Sequence, residues 1–256
     1  MPRRFSIAAS IKAEGTRNGM AREMTAEEAA RLWLNYGTEY NSSLFQKIGA
    51  RFGSLAEAKY GFESGEETFA ALPERVRARL NEARAAGFLE RFVDQMEKKR
   101  IRFTYPGEER FPRLLAEIPD PPSVLYYIGT IEPDPDLAIA VIGSRHPTKY
   151  GVEVAKTFGY ALASAGALVV SGLAEGIDAY AARGALDAQH AVCPTLAVLG
   201  CGVDVVYPKS NERLYDEIIA RGAVVSEFLP GTQVERYHFP IRNRIMSGLA
   251  HGTLVV

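Results

Sequence analysis

One hydrophobic stretch ends in a small turn that contains both glycine and arginine, a combination typical of sites that hold phosphate. The turn contains Gly143, Ser144 and Arg145, and Lys149 follows it. Glycine lets a ligand approach the backbone, and a guanidinium binds phosphate with two parallel hydrogen bonds. A helix is expected after this turn, and a helix N-terminus also attracts anions. We therefore expect phosphate here, with an ion pair to Glu or Asp as the alternative role of Arg145.

Three more turns follow hydrophobic stretches further along the chain. Ser171 and Gly172 follow the second stretch, and Gly202 follows the third. Glycine turns at strand ends are also common for packing alone, so ligand binding and a purely structural role both stay open for these turns. Asp178 is a candidate to bind a ribose or a base edge, or to cap a helix. Glu227, after the fourth stretch, is the best candidate for an acid or base, although a lone carboxylate is more often structural.

A second group of arginines lies close to the C-terminus, where Phe239 precedes Arg242, Asn243 and Arg244. Pro240 suits the first turn of a helix. On a helix, residues two positions apart diverge by about 200°, so the two arginines would not face one phosphate. One arginine would then contact the ligand, and the other would pair with Asp178 or Glu227. If the segment instead begins extended, both arginines lie on one side.

The elements that must position these residues alternate between strand and helix. Hydrophobic β stretches end near Ile142, Val170, Leu199, Val225 and Val256, and each gap holds one helical stretch. Continuous apolar strands that alternate with helices predict a parallel sheet with helices on both faces. Ligands of such sheets bind outside the carboxyl ends of the strands. The turns described above should therefore meet at one edge of the sheet.

Four helices are predicted in the N-terminal part of the chain. Thr25 begins the first with a capping-box pattern, and the second covers residues 41–52. A third, short helix begins after Ser54. The fourth begins at Pro73 and is long, with a weak point at Gly87.

Changes in composition predict three parts of the chain. Residues 1–24 are polar without clear periodicity, and we interpret them as a flexible N-terminal tail. Residues 25–104 form a small all-helical domain, and residues 105–256 form the α/β domain. Prolines are frequent over residues 101–136, where a short strand over 124–128 is expected.

Composition excludes several classes of protein. The net charge is −1, so an anion site must be a local patch rather than a property of the whole surface. The two cysteines provide no disulfide framework and fit a reducing compartment. Their spacing to the histidines matches no zinc site, and no metal or cofactor is expected. No secretory signal and no long apolar stretch is present, so we expect a cytoplasmic protein outside the membrane.

The motifs together resemble the DNA-processing protein A family, called DprA or Smf. In chain order they are Gly143-Ser144-Arg145, Tyr150-Gly151, residues 171–178, residues 197–202, Tyr207-Pro208, Ser226-Glu227 and residues 239–245. The resemblance implies an extended Rossmann-like domain, preceded by a sterile-alpha-motif-like (SAM-like) helical domain. It implies that the α/β domain binds single-stranded DNA, protects incoming DNA and loads the RecA recombinase in natural transformation. It also implies a homodimer through the Rossmann domains and no enzymatic activity.

The same resemblance implies a set of DNA-binding residues. They are Gly143, Ser144, Arg145, Lys149, Ser171, Gly172, Gly202, Phe239, Arg242, Asn243 and Arg244. The rings that would stack on the bases are those of Tyr150, Phe239 or His238.

The chain also departs from the family pattern. Glu175 stands where a basic residue is frequent, which lowers the local positive charge. Tyr180, Ala181 and Ala182 stand where members often carry a histidine. Many members carry a further winged-helix-like domain C-terminal to these motifs. Two other functions stay open: a nucleotide-processing enzyme such as a nucleoside-monophosphate phosphoribohydrolase, with Glu227 and Asp178 as its acid, base or ribose groups, and a mononucleotide sensor.

Overall fold

The computed structural model describes residues 24–256, and the chain divides into two compact units, Met1–Lys98 and Lys99–Val256. The tail expected over residues 1–24 lies, up to residue 23, outside the described residues.

The first unit is helical, as its capping patterns predict. Its helices in the described residues are α1 (Ala26–Thr38), α2 (Ser42–Gly49), α3 (Leu55–Glu63), α4 (Glu74–Ala83) and α5 (Phe88–Lys98). The capping box is confirmed, because the Thr25 hydroxyl accepts from the Glu28 amide while the Glu28 carboxylate accepts from the Thr25 amide. The single long helix predicted from Pro73 is wrong. It is split into α4 and α5, because Gly87 adopts a φ of +74° that a right-handed helix does not allow.

A fully buried tryptophan forms the centre of this helical unit. The indole N–H of Trp33 donates to the carbonyl of Leu80 at 3.0 Å, which satisfies its polar atom in the interior. The rings of Phe62 and Phe69 lie 5.3 and 6.4 Å from its ring. The first unit therefore has a hydrophobic core of its own.

The second unit is built on a seven-stranded sheet. Its strands are β1 (Arg102–Thr104), β2 (Leu125–Gly129), β3 (Ala138–Ile142), β4 (Leu168–Ser171), β5 (Thr195–Val198), β6 (Ala223–Ser226) and β7 (Gly252–Val255). Its helices are α6 (Arg113–Ala116), α7 (Lys149–Ser164), α8 (Ile177–Asp187), α9 (Glu212–Arg221) and α10 (His238–Gly248). The strand order is β1-β2-β6-β5-β4-β3-β7.

Five neighbouring strands, β6, β5, β4, β3 and β7, run parallel, as their apolar character predicts. The strand expected over residues 124–128 is β2, which pairs antiparallel with β6. β1 then pairs antiparallel with β2 and forms the edge. The boundary predicted near residue 104 therefore falls inside the sheet unit, because Arg102–Thr104 is already part of the sheet.

Helices cover both faces of this sheet. Residues of α6 and α10, including Leu115 and Ile245, pack on one face, and residues of α7 and α8, including Ala155 and Ala181, pack on the other. All four residues of β4, of β5 and of β6 are buried. The predicted fold class, a Rossmann-like sheet preceded by a helical region, is confirmed. Across residues 24–256, no helix combines the length and the apolar character needed to cross a membrane.

Candidate functional site

A groove opens at the carboxyl edge of the parallel strands, with roughly 480 Å³ of open space. Its walls come from the loops after β3, β4 and β5 and from the first turn of α10. The lining residues are Arg145, Gly172, Leu173, Ala174, Glu175, Leu199, Gly200, Cys201, Tyr207, Pro208 and Phe239. This is the edge where ligands bind in open parallel sheets.

Arg145 presents an exposed positive charge to this groove. Its guanidinium carbon lies 5.6 Å from the centre of the Phe239 ring, within the range of a cation–π contact. The sequence left open an ion pair of Arg145 with Glu or Asp. None of the ion pairs between described residues includes Arg145. Within the part of the chain that the structure describes, the guanidinium therefore keeps its hydrogen-bond donors available for a ligand, although its charge also acts on the buried Asp178.

The backbone around Arg145 is held in place by the loop that leads into α8. The carbonyl of Ser144 accepts from the amide of Ile177 at 3.1 Å, and the Ser144 hydroxyl accepts from the amide of His146 at 3.0 Å. Gly176 has a φ of +79°, and a Cβ there would lie 2.2 Å from the Ser144 oxygen. The backbone of the loop that carries Arg145 is therefore held against the loop that leads into α8.

The N-terminus of α7 follows this loop and is exposed. The Thr148 hydroxyl accepts from the Gly151 amide at 3.1 Å and caps the helix. Lys149, the first helical residue, is exposed, and Tyr150 is 80% exposed. A cation and an aromatic ring therefore stand beside Arg145 along the chain, outside the groove lining.

Gly172 is fixed by protein groups on both sides of its peptide unit. Its amide donates to Asp178 Oδ2 at 2.8 Å, and its carbonyl accepts from Arg242 Nη1 at 2.9 Å. A Cβ at this position would lie 2.5 Å from the guanidinium nitrogens of Arg242. The glycine is required here by the close approach of Arg242.

Arg242 is 5% exposed, and its guanidinium donates to the carbonyls of Gly172 and Val198. Burial lowers its pKa, and the charge of Asp178 opposes that change. Burial likewise raises the pKa of Asp178, against the Gly172 amide and Arg242, which lower it. The two buried charges therefore compensate each other, and Arg242 ties together the ends of β4 and β5 rather than facing the groove.

Arg244 lies on another side of α10 and meets two carboxylates. It donates to Glu227 and lies 3.3 Å from Asp120. Burial raises the pKa of Glu227 to about 7, although the positive charge of Arg244 lowers it. The alternative of an extended start is wrong, because the helix begins at His238, and its geometry sends the two arginines to different neighbours. The acidic partner expected for one of them is Glu227.

The structure brings together only part of the set of residues that the sequence predicted. Arg145, Gly172 and Phe239 line the groove. Gly143, Ser144, Lys149 and Asn243 are exposed without lining it, Arg244 is partly buried, and Ser171, Gly202 and Arg242 are buried.

Two of these placements have a direct physical reason. Gly202 packs against the backbone, where a Cβ would lie 2.7 Å from the amide nitrogen of Gly231. His238, a predicted base stacker, is 2% exposed, and its Nδ1 donates to the carbonyl of Gly200 at 3.0 Å. Neither group is free to meet a ligand in this arrangement.

Tyr207 and Glu175 are among the groove residues that were missed as site residues. Tyr207 is 44% exposed, and its ring centre lies 5.9 Å from that of Phe239. Glu175 accepts a hydrogen bond from the Ser210 hydroxyl at 2.9 Å. The signal for Tyr207 was present in the sequence, as an aromatic residue directly before a proline in the loop after β5.

The carboxylates considered for catalysis do not line the groove. Asp178 and Glu227 are buried and bonded to Gly172 and Arg244, respectively. Within residues 24–256, no three His, Cys, Asp or Glu side chains cluster in a way that would hold a metal ion.

Comparison with known proteins identifies relatives of the sheet unit. A family model described as DNA recombination-mediator protein A matches residues 102–256. Protein Smf of Synechocystis is 39% identical over 169 residues, which are 64% of this chain and 42% of the relative. DNA processing protein DprA of Streptococcus pneumoniae is 38% identical over 176 residues, which are 66% of this chain and 61% of the relative. The chain thus matches less than two thirds of the length of these relatives.

Solved structures agree with the sequence matches. The crystal structure of DprA from Streptococcus pneumoniae aligns with a TM-score of 0.64 and 29% identity, over 91% of this chain and 77% of that chain. A structure of DprA from Helicobacter pylori, described for its single-stranded DNA binding mode, aligns with a TM-score of 0.52 and 29% identity. That alignment covers 60% of this chain and 68% of the other.

Proposed function

The chain belongs to the DNA recombination-mediator protein A family, and we propose that the groove at the carboxyl edge of its sheet binds single-stranded DNA. The observation that carries the proposal is the exposed guanidinium of Arg145 in a groove that it shares with the rings of Phe239 and Tyr207. An arginine suits the phosphate backbone, and an exposed aromatic ring suits the face of a base.

The proposal is for a single strand rather than a duplex. A base reaches an aromatic side chain only when it is unstacked, and single strands provide such bases without the cost of opening a helix. The Helicobacter pylori relative, whose structure is described for its single-stranded DNA binding mode, supports this choice. Lys149 and Tyr150, exposed at the start of α7, provide a second cation and ring along which the strand would continue.

The wider role that we propose is that of a recombination mediator. The chain would protect incoming single strands in the cytoplasm and load a RecA recombinase onto them during natural transformation, without catalysing a reaction itself. The family description as a recombination mediator supports this role. A homodimer through the sheet units would join two grooves, so long strands would gain affinity through effective concentration.

Fluorescence anisotropy with labelled oligonucleotides tests the proposal. We expect the chain to bind a poly-dT single strand more tightly than a duplex of equal length. Arg145→Ala should weaken binding by about tenfold, because it removes a charge-assisted hydrogen bond to phosphate. Arg183→Ala makes the same chemical change at an exposed arginine of α8 that does not line the groove, and it should leave the affinity unchanged.

Competition by unlabelled nucleotides separates this function from the alternatives. A mononucleotide that competes as well as the full strand would favour a nucleotide sensor. Release of free base from a nucleoside monophosphate would favour the hydrolase. Equal affinity for single strand and duplex, or equal affinity of Arg145→Ala and the unsubstituted chain, would contradict the proposal.

A further inference from the structure

The groove contains a carboxylate that a simple phosphate-binding surface does not need. Glu175 lines the groove together with Arg145 and Tyr207. A negative charge beside a phosphate track lowers the affinity for any strand, whatever its sequence. The residue must therefore either weaken binding in general or contribute to recognition.

The surroundings of Glu175 hold its carboxylate at the groove. The hydroxyl of Ser210, from the turn before α9, donates to Glu175 Oε1 at 2.9 Å. Asn211, the next residue, donates to the carbonyls of Leu173 and Ala174 and anchors the same loop. An ionised carboxylate has several acceptor positions on its two oxygens, so the bond from Ser210 leaves both oxygens able to accept from a ligand.

Base chemistry then selects one partner for a carboxylate. Guanine alone among the DNA bases carries two adjacent donors, N1–H and N2–H, on its Watson–Crick edge, and these match the two oxygens of a carboxylate. Cytosine and adenine offer an amino group beside a ring acceptor, which a carboxylate repels. Thymine offers a single N–H between two carbonyls. Single strands expose this edge to proteins, and carboxylates read bases by accepting from their N–H groups.

We propose that Glu175 makes the groove selective for guanine within single-stranded DNA. Arg145 would hold a phosphate, Tyr207 would stack on the base, and Glu175 would accept from N1–H and N2–H of a guanine. This inference rests on the proposed function of the groove and adds the chemical class of base that it prefers.

The test uses poly-dT strands that differ only at one central position. In anisotropy titrations, the strand with a central guanine should bind about fivefold more tightly than the strand with a central thymine. This is the lower end of the discrimination expected from two hydrogen bonds to one base, because Glu175 is exposed to solvent. A central hypoxanthine, which lacks the N2 amino group, should fall between the two. Central adenine and cytosine should bind no better than thymine.

Glu175→Gln should abolish the guanine preference, because its amide presents a donor to one of the guanine donors. The same variant should bind plain poly-dT as tightly as the unsubstituted chain or more tightly, since it removes a negative charge. Glu217→Gln, at an exposed glutamate of α9 that does not line the groove, is the matched control and should keep the preference.

The outcomes separate the two proposals. Absence of any single-strand binding would overturn the proposed function itself. Tight binding of poly-dT with no gain from guanine, or a guanine gain that persists in Glu175→Gln, would overturn the base selectivity while leaving the DNA-binding function in place.

Discussion

The loop after β3 and the first turns of α10 both carry arginine near the carboxyl edge of the sheet, but their guanidinium groups meet different partners. Arg145 is exposed and lies over the ring of Phe239, and within residues 24–256 its charge acts on Asp178 without an ion pair between them. Arg242 is buried against two main-chain carbonyls, and Arg244 is held by Glu227 and Asp120. The first region can therefore take a ligand, whereas the second holds the strand ends that shape the groove.

The difference shows what decides the role of an arginine. Both regions carry arginine, and arginine suits phosphate. The two regions differ in the hydrogen-bond acceptors that surround each arginine side chain. Once carbonyls or carboxylates of the protein occupy the donors of a guanidinium, a phosphate would have to displace those bonds. Substitutions at these arginines test this division between a ligand-binding loop and a structural helix.

The largest effect is expected at Arg242. Arg242→Ala leaves Asp178 buried without its compensating charge and two carbonyls without their donor, so the free energy of unfolding should fall by about 3–5 kcal/mol. Arg242→Lys keeps the charge but not the planar guanidinium, so its free energy of unfolding should fall by less than that of Arg242→Ala. Urea unfolding monitored by circular dichroism measures both losses.

Arg145→Ala is the control for this prediction. Because Arg145 is exposed and has no ion pair with any residue in 24–256, its substitution should change the free energy of unfolding by no more than about 0.5 kcal/mol. Equal losses of stability at Arg145 and Arg242 would contradict the division between the two regions.

The next effect is a dependence of the free energy of unfolding on pH, caused by Glu227. Its pKa in the folded chain is raised to about 7 from an ordinary value of 4.5, so between these values the folded state binds the proton more tightly than the unfolded state. The stabilisation is therefore present below pH 4.5 and is lost as the pH rises through 7, with a total change of at most about 3 kcal/mol.

Urea unfolding at pH 5 and pH 8 measures this loss, with Glu227→Gln as the reference because glutamine does not titrate. Other groups, including Asp178, contribute equally to both proteins, and the difference between them isolates Glu227. A loss of stability toward pH 8 that is no larger in the unsubstituted chain than in Glu227→Gln would contradict the burial of this carboxyl as the cause.

A smaller effect is expected from the aromatic side of the groove. Tyr207→Ala should weaken single-strand binding by about 1 kcal/mol, the low end for loss of one stacked base. Tyr160, on α7, is 52% exposed and does not line the groove, so Tyr160→Ala should leave the affinity unchanged. Anisotropy titration compares the two, and equal losses would remove the case for stacking on Tyr207.

Much of the sheet could be predicted because its signal is local. Buried parallel strands are continuous apolar stretches, so the ends of β3 to β7 were each predicted to within one residue. The antiparallel pairing of β1 and β2 was not predicted, because strand partners depend on contacts across long separations. The break at Gly87 was visible only as a weak point, since the sequence does not state which φ a glycine adopts.

The site could be predicted only in part, for a related reason. The turn that carries Arg145 was located from its own sequence. The role of Arg242 depends on the carbonyls of Gly172, just after β4, and of Val198, at the end of β5, which come close to α10 only in the fold. The groove position of Glu175 likewise depends on Ser210, from a different loop. Such roles follow from tertiary neighbours and not from a motif.

The salt dependence of single-strand binding tests the central claim most directly, because it counts the phosphates that the protein neutralises. A plot of log K against log salt concentration should be less steep for Arg145→Ala than for the unsubstituted chain by about 0.7. Arg183→Ala should keep the full slope. Equal slopes for the unsubstituted chain and Arg145→Ala would mean that this arginine contacts no phosphate, and that the groove at the carboxyl edge is not the DNA site.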